Sequence, residues 1–203
     1  MSLSQEDRRR ISDAVRLIED RTSGEIVCVL AESSTSATML PLFIAALAAL
    51  AVPWILVVLT PMAVYRILTL QIAVFVGLLT LLSVPRLRAR LLPARVRRQM
   101  GYRAAREQFI VRGIERKKDR CGILIFVSVA ERYARIVADD GIAARVPQAH
   151  WQAAVNVLIS HVREGRVAEG FVAAIELCGT ELTKHFPRHG EKREELPDRI
   201  YLI

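Results

Sequence analysis

The residues with chemical potential in this 203-residue chain are few and scattered. Asp139 and Asp140 stand side by side before Gly141, where a short apolar run ends. Adjacent carboxylates are hard oxygen ligands and proton carriers. The commoner use of an Asp-Asp-Gly triplet is turn chemistry, with one Asp capping backbone N–H groups. His150 and His161 fall near one helical face but three turns apart, about 16 Å, so they cannot share a metal. His185 and His189 have ligand spacing, but Pro187 between them breaks a helix. Cys28, Cys121 and Cys178 show no metal-ligand spacing, and their apolar settings imply reduced, packed thiols. There is no phosphate-binding glycine loop, dinucleotide fingerprint or serine nucleophile elbow.

The elements that must position these residues follow from hydrophobic patterning. Hydrophobic residues make up 52% of the chain while 25% are charged. Such a composition in one chain implies that the apolar residues are concentrated. No charge occurs from Ser33 to Tyr65 or from Ile67 to Pro85, and only Arg66 divides the two runs. A membrane-spanning helix needs about 20 largely apolar residues. Met39–Leu59 meets that length and 67–84 approaches it, so the sequence predicts a transmembrane helical hairpin over 33–85. Pro53 is expected to kink the first span, which lipid-embedded helices tolerate. The first run begins too far from Met1 for a signal peptide.

The net charge of +8 is local. Between Arg86 and Arg120 there are thirteen basic residues against Glu107, Glu115 and Asp119. Arg86, Arg88, Arg90, Arg95, Arg97 and Arg98 directly follow the second span. Lys and Arg near span ends stay in the cytoplasm, so both termini and the globular part are expected there. A basic juxtamembrane segment (86–100) fits anionic lipid headgroups, at about 1 kcal/mol per residue near the surface. Nucleic acid is not an expected partner, because aromatic residues are sparse and no binding motif surrounds these arginines.

Ser4 followed by Asp7 opens a helix whose Ile11, Val15 and Ile18 share a face. Glu25–Ala31, Gly122–Val129 and Tyr133–Ala138 read as strands, the last two joined by a tight Ala130-Glu131-Arg132 turn and therefore antiparallel. The first two are expected to run parallel. Helices are expected over 102–117, from Pro147 to Gly165, with Trp151 in the core, and from Val167 to near Pro187. The predicted fold is thus α/β: a small mixed sheet with helices on both faces, interrupted by the hairpin. One domain is split into 1–32 and 101–186, and 187–203 is a charged tail. Both pieces must lie on one side of the membrane, and an even number of spans provides that.

Four stretches in this order resemble the TPM domain family, known from thylakoid-lumen photosystem-repair proteins and many bacterial membrane proteins. They are Arg21-Thr22-Ser23-Gly24-Glu25-Ile26-Val27; Gly122-Ile123-Leu124-Ile125 followed by Arg135-Ile136-Val137; Asp140-Gly141-Ile142 running to Val146-Pro147; and Glu164-Gly165 through Glu169-Gly170-Phe171. Some relatives are reported to have acid phosphatase activity or bound calcium near the third stretch. The resemblance implies a possible weak calcium or magnesium site at Asp139 and Asp140, with Glu25 the nearest further carboxylate. It also implies a bacterial inner membrane. Where the pattern has a first glycine, a glutamate and a final aspartate, this chain has Asp139, Ala143 and Gln148. With two expected carboxylates missing, the reading is a membrane-anchored, non-catalytic interaction or assembly module for another membrane protein, with no obligatory cofactor. The alternatives are a divalent-metal-assisted phosphatase at Asp139/Asp140 and an anionic-lipid-binding basic segment. Gly24 and Gly141 are read as backbone-geometry positions.

Overall fold

The computed structural model describes residues 3–32, 39–84, 93–116, 121–188 and 199–203. The chain divides into two compact units, 1–34 with 98–203 and 35–97.

In the first unit, α1 (Gln5–Glu19) starts from a reciprocal capping box. The Asp7 amide donates to Ser4 Oγ at 3.0 Å and the Ser4 amide to Asp7 Oδ2 at 3.1 Å, pairing donors that a helix start leaves open. Ile11 and Val15 are buried. The sheet contains β1 (Glu25–Ala31), β2 (Gly122–Ser128), β3 (Tyr133–Ala138) and β4 (Ile200–Leu202), in the spatial order β3-β2-β1-β4. β1 is parallel to β2 and β4, and β2 is antiparallel to β3. β1 and β2 are buried along their whole length. Interior strands covered on both faces need continuous apolar sequence, which is what EIVCVLA and GILIFVS supply.

Alternation along the strands divides the core in two. Ile26, Cys28, Leu30, Ile123, Ile125, Val127 and Ile136 pack with residues of α1, α6 (Gln148–Arg163) and α7 (Val167–His185). Val27, Val29, Leu124 and Phe126 pack with Ala105 and Phe109 of α4 (Ala94–Val111) and with Ile114 of the 3-10 turn Ile114–Arg116. Helices therefore cover both faces, as the patterning requires, and Trp151 is buried. A single helical turn, α5 (Asp140–Ala143), follows β3.

Three features differ from what the sequence predicts. The helix expected over 102–117 spans Ala94–Val111, beginning inside the basic segment, and Gly113 at φ 70° ends it. Ile200–Leu202, placed by composition in a charged tail, is an edge strand parallel to β1. Three residues are too few for period-2 alternation to be legible. Gly24 and Gly141 do not use the left-handed region, which is occupied by Gly113, Gly165 and Arg132 among the described residues. Gly24 serves close packing instead: a Cβ there would stand 3.1 Å from Leu182 and 3.4 Å from the Cys121 carbonyl. Gly141 lies inside α5.

The second unit contains α2 (Met39–Leu59) and α3 (Val64–Ser83), which pack along each other. α2 continues through Pro53. Both helices are long and apolar enough to cross a membrane by length and composition. Ala45 and Ala49 of α2 and Ile67 and Leu82 of α3 are buried, while most other side chains face outward, Trp54 at 79% and Val58 at 80% exposure.

Candidate functional site

The strand ends gather the sequence-predicted carboxylates at one end of the sheet. Glu25 opens β1 and is paired in register with Gly122, the first residue of β2. The amide of Asp139, just past β3, donates to the Gly122 carbonyl at 2.9 Å. Glu25 and Asp139 thus flank Gly122 from either side, about 10 Å apart at the spacing of two strands. Both are buried.

Asp139 is the N-cap of α5 and has extended backbone. Its Oδ1 accepts from the Asp140 amide at 2.7 Å. Its Oδ2 is buried and has no hydrogen-bond partner among the described residues. An unsatisfied buried carboxylate oxygen costs about 1–3 kcal/mol or more, so this atom is an unusual polar group. Asp139 lines a cleft of about 400 Å³ together with Arg106, Phe109, Glu115, Val137, Ala138 and Asp140. The cleft combines three carboxylates, two of them adjacent, with a guanidinium, a set that can attract a cation or hold a polar ligand. Among the described residues no three His, Cys, Asp or Glu side chains are grouped to hold a metal ion.

Arg95 and Arg98 are exposed in the first turns of α4, and Arg97 is half-buried. Arg86, Arg88 and Arg90 lie outside the described residues. On the same side of the sheet, the Arg135 guanidinium stands 4.5 Å from the centre of the Tyr102 ring.

The stretch Thr22-Ser23-Gly24 is a docking turn between α1 and α7. Thr22 Oγ1 donates to the Phe186 carbonyl at 2.5 Å, the Ser23 amide donates to it at 3.0 Å, and Glu19 Oε1 accepts from the Ile26 amide at 2.8 Å. Gly165, at φ 80°, turns the chain between α6 and α7. Gly170 brings the two helices together, since a Cβ there would lie 2.9 Å from His161 Cβ and 3.2 Å from the Leu158 carbonyl. Beside this turn Arg166 is tied to Glu164 and, at 2.9 Å, to Glu169. The Arg166 hydrogen bond lowers the Glu164 carboxyl below its ordinary range.

One cluster escaped the sequence reading. His150 Nδ1 lies 3.1 Å and His185 Nε2 3.7 Å from Glu181 Oε2. The Glu181/His185 spacing of four residues is a legible helical pair, but His150 reaches it only through the packing of α6 on α7. The thiols are internal: Cys28, Cys121 and Cys178 are free and buried. Burial, first of all, raises the Cys28 thiol, with Cys178 and Glu19 adding to it. Burial pushes Cys178 up to about 12.

The fold is thus a four-stranded mixed sheet between helical layers, with its carboxylates on the turn that follows β3. Residues 94–181 match the family model of the TPM domain. The match runs from the first residue of α4 into α7, leaving α1 and β1 outside it although β1 is central to the sheet. The NMR structure of BA42 protein from the psychrophilic bacterium Bizionia argentinensis is similar at a TM-score of 0.62 and 21% identity, over 100% of this chain and 96% of that one. The likeness is one of fold. No curated protein matches the chain.

Proposed function

We propose that the chain is a membrane-anchored, non-catalytic TPM domain that acts as an interaction or assembly module for other membrane proteins. It would sit on the cytoplasmic face of a bacterial inner membrane. The observation that carries the anchor is the pair of outward-facing apolar helices, α2 and α3, interrupting one domain between β1 and α4. A soluble core helix hides its apolar side chains, whereas lipid rewards leaving them outward. Hydroxyls in these helices return to the backbone: Thr69 Oγ1 donates to Tyr65 O at 2.8 Å, Thr80 to Val76 O at 2.9 Å and Ser83 to Leu79 O at 2.6 Å. That satisfies donors that hydrocarbon cannot. Arg66 Nε donates to the Tyr65 hydroxyl at 3.0 Å near the hairpin tip, a cation–aromatic pair suited to a headgroup interface. The arginines after α3 favour the cytoplasmic orientation. Support for a non-catalytic role comes from Ala143 and Gln148, which stand where the family pattern has carboxylates. Alkaline carbonate extraction tests the anchor. The protein is expected in the membrane pellet, and its release into the supernatant overturns the reading.

A second reading is favoured by one observation, the buried Asp139 Oδ2 without a hydrogen-bond partner among the described residues. An oxygen of that kind is what a divalent cation would take up, with Asp140 adjacent and Glu25 at the same end of the sheet. In that reading Asp139, Asp140 and Glu25 support metal-assisted phosphate-ester hydrolysis. Hydrolysis of a phosphate monoester that requires added calcium or magnesium, and is lost in Asp139→Asn, would establish it.

A further inference from the structure

α4 rests on the sheet through Gly101, Ala105 and Phe109 and turns its opposite side outward. Each helical residue rotates about 100°, so Arg103, Glu107 and Ile110 point away from Ala105, with Arg106 and Val111 flanking them. All five are exposed, Ile110 at 52% and Val111 at 66%. Within Ala94–Val111 the charged residues are Arg95, Arg97, Arg98, Arg103 and Arg106 against Glu107 alone. A helix face that sets guanidinium groups beside exposed aliphatic side chains matches an anionic lipid surface. The cations meet phosphates while the methyl groups enter the headgroup boundary. Chain connectivity allows this, because α3 ends at Ser83, α4 begins at Ala94, and the ten residues between reach at most about 35 Å.

We propose that the outer face of α4, through Arg103, Arg106, Ile110 and Val111, docks on the anionic headgroups of the bilayer that holds the hairpin. This rests on the membrane-anchor reading and extends lipid contact well beyond the juxtamembrane arginines.

The test uses the full chain in nanodiscs of phosphatidylcholine alone or with one-third phosphatidylglycerol. An environment-sensitive fluorophore is placed on a Val111→Cys variant, where the three buried native thiols leave the new one as the reactive group. Brominated lipid reports on both this label and Trp54, since Trp151 is buried. The expected result is a blue-shifted, lipid-quenched label with phosphatidylglycerol and a water-like, unquenched label without it. Half-molar salt should release the label in the otherwise native sequence, as should a further Arg103→Glu, Arg106→Glu pair. A water-like label in anionic discs while Trp54 is quenched overturns the docking and leaves the anchor standing. Lipid contact indifferent to headgroup charge and salt overturns the electrostatic match. An unquenched Trp54 removes the anchor, and the docking with it.

Discussion

Cys28 of β1 stands beside Ile125 of β2 in a parallel pairing at the centre of the sheet, although both apolar helices lie between them in the chain. β1 is also the strand on which β4 is laid. The residues before the hairpin are thus as necessary to the domain as those after it.

A fragment beginning at Gly101 lacks α1 and β1, leaving β2 with an open edge and β4 with no strand to pair with. Denaturant unfolding followed by circular dichroism should show no cooperative transition for it. A version in which a short flexible linker replaces 33–97 should unfold cooperatively. Comparable transitions for both would refute the inserted-hairpin architecture.

Reporter domains fused before Met1 and after Ile203 should both signal cytoplasm, because two spans return the chain and the arginines after α3 resist translocation. Periplasmic activity from either fusion would contradict the orientation.

Gly101 marks the close approach of α4 to β3. A Cβ there would overlap the Tyr133 ring and stand 3.0 Å from its Cβ, close to the root of a stiff side chain. Gly101→Ala should therefore destabilise the domain by about 1–3 kcal/mol, despite alanine's better helix propensity, which is worth about 1 kcal/mol. Combining it with Tyr133→Ala should cost less than the sum of the two changes, as contacting residues couple. Strict additivity in urea melts would place the two residues out of contact.

The buried thiols give a pH signature. Thiols exposed by unfolding titrate near 9.0, whereas burial raises Cys28 and Cys178 well above that. Their contribution is complete below pH 9 and declines as pH rises past it, because only the unfolded state loses protons there. The slope is about 1.4 kcal/mol per pH unit for each thiol until the folded-state pKa is reached. Replacing both by alanine should flatten stability between pH 9 and 10.5 relative to the parent. An unchanged slope would show that other groups dominate.

For the Asp139-Asp140 turn, two carboxylates fall short of the six to eight oxygens that calcium takes, so affinity should be millimolar or weaker. Chelators should leave the melting temperature unchanged, and Asp139→Asn with Asp140→Asn should still fold and anchor. A rise in melting temperature at micromolar calcium or magnesium, abolished in that double variant together with a phosphatase rate, would replace the module by the enzyme.

Much of this is legible in the sequence, because it depends on local pattern. Charge-free runs of spanning length, the Ser4/Asp7 cap, and seven-residue apolar strands bounded by glycine each state their own conformation. The short turn after β2 required an antiparallel partner, and a helix between β1 and β2 favoured a parallel one. Other features belong to no local stretch. β4 was invisible because three residues gain strand character only by lying against β1. The helix expected to start at 102 starts at Ala94, since an arginine-rich turn shows no apolar stripe. Gly24 was needed for contact with Leu182, a residue whose proximity the chain order does not reveal. His150 meets Glu181 only where α6 crosses α7, and Asp139 is buried only in the assembled fold. Sequence pattern determined which segments are helix, strand and long apolar helix, because periodicity and length are properties of neighbours along the chain. Which carboxylate is stripped of water, and which glycine must lack a side chain, was decided by tertiary packing, because desolvation and close approach depend on atoms from distant segments.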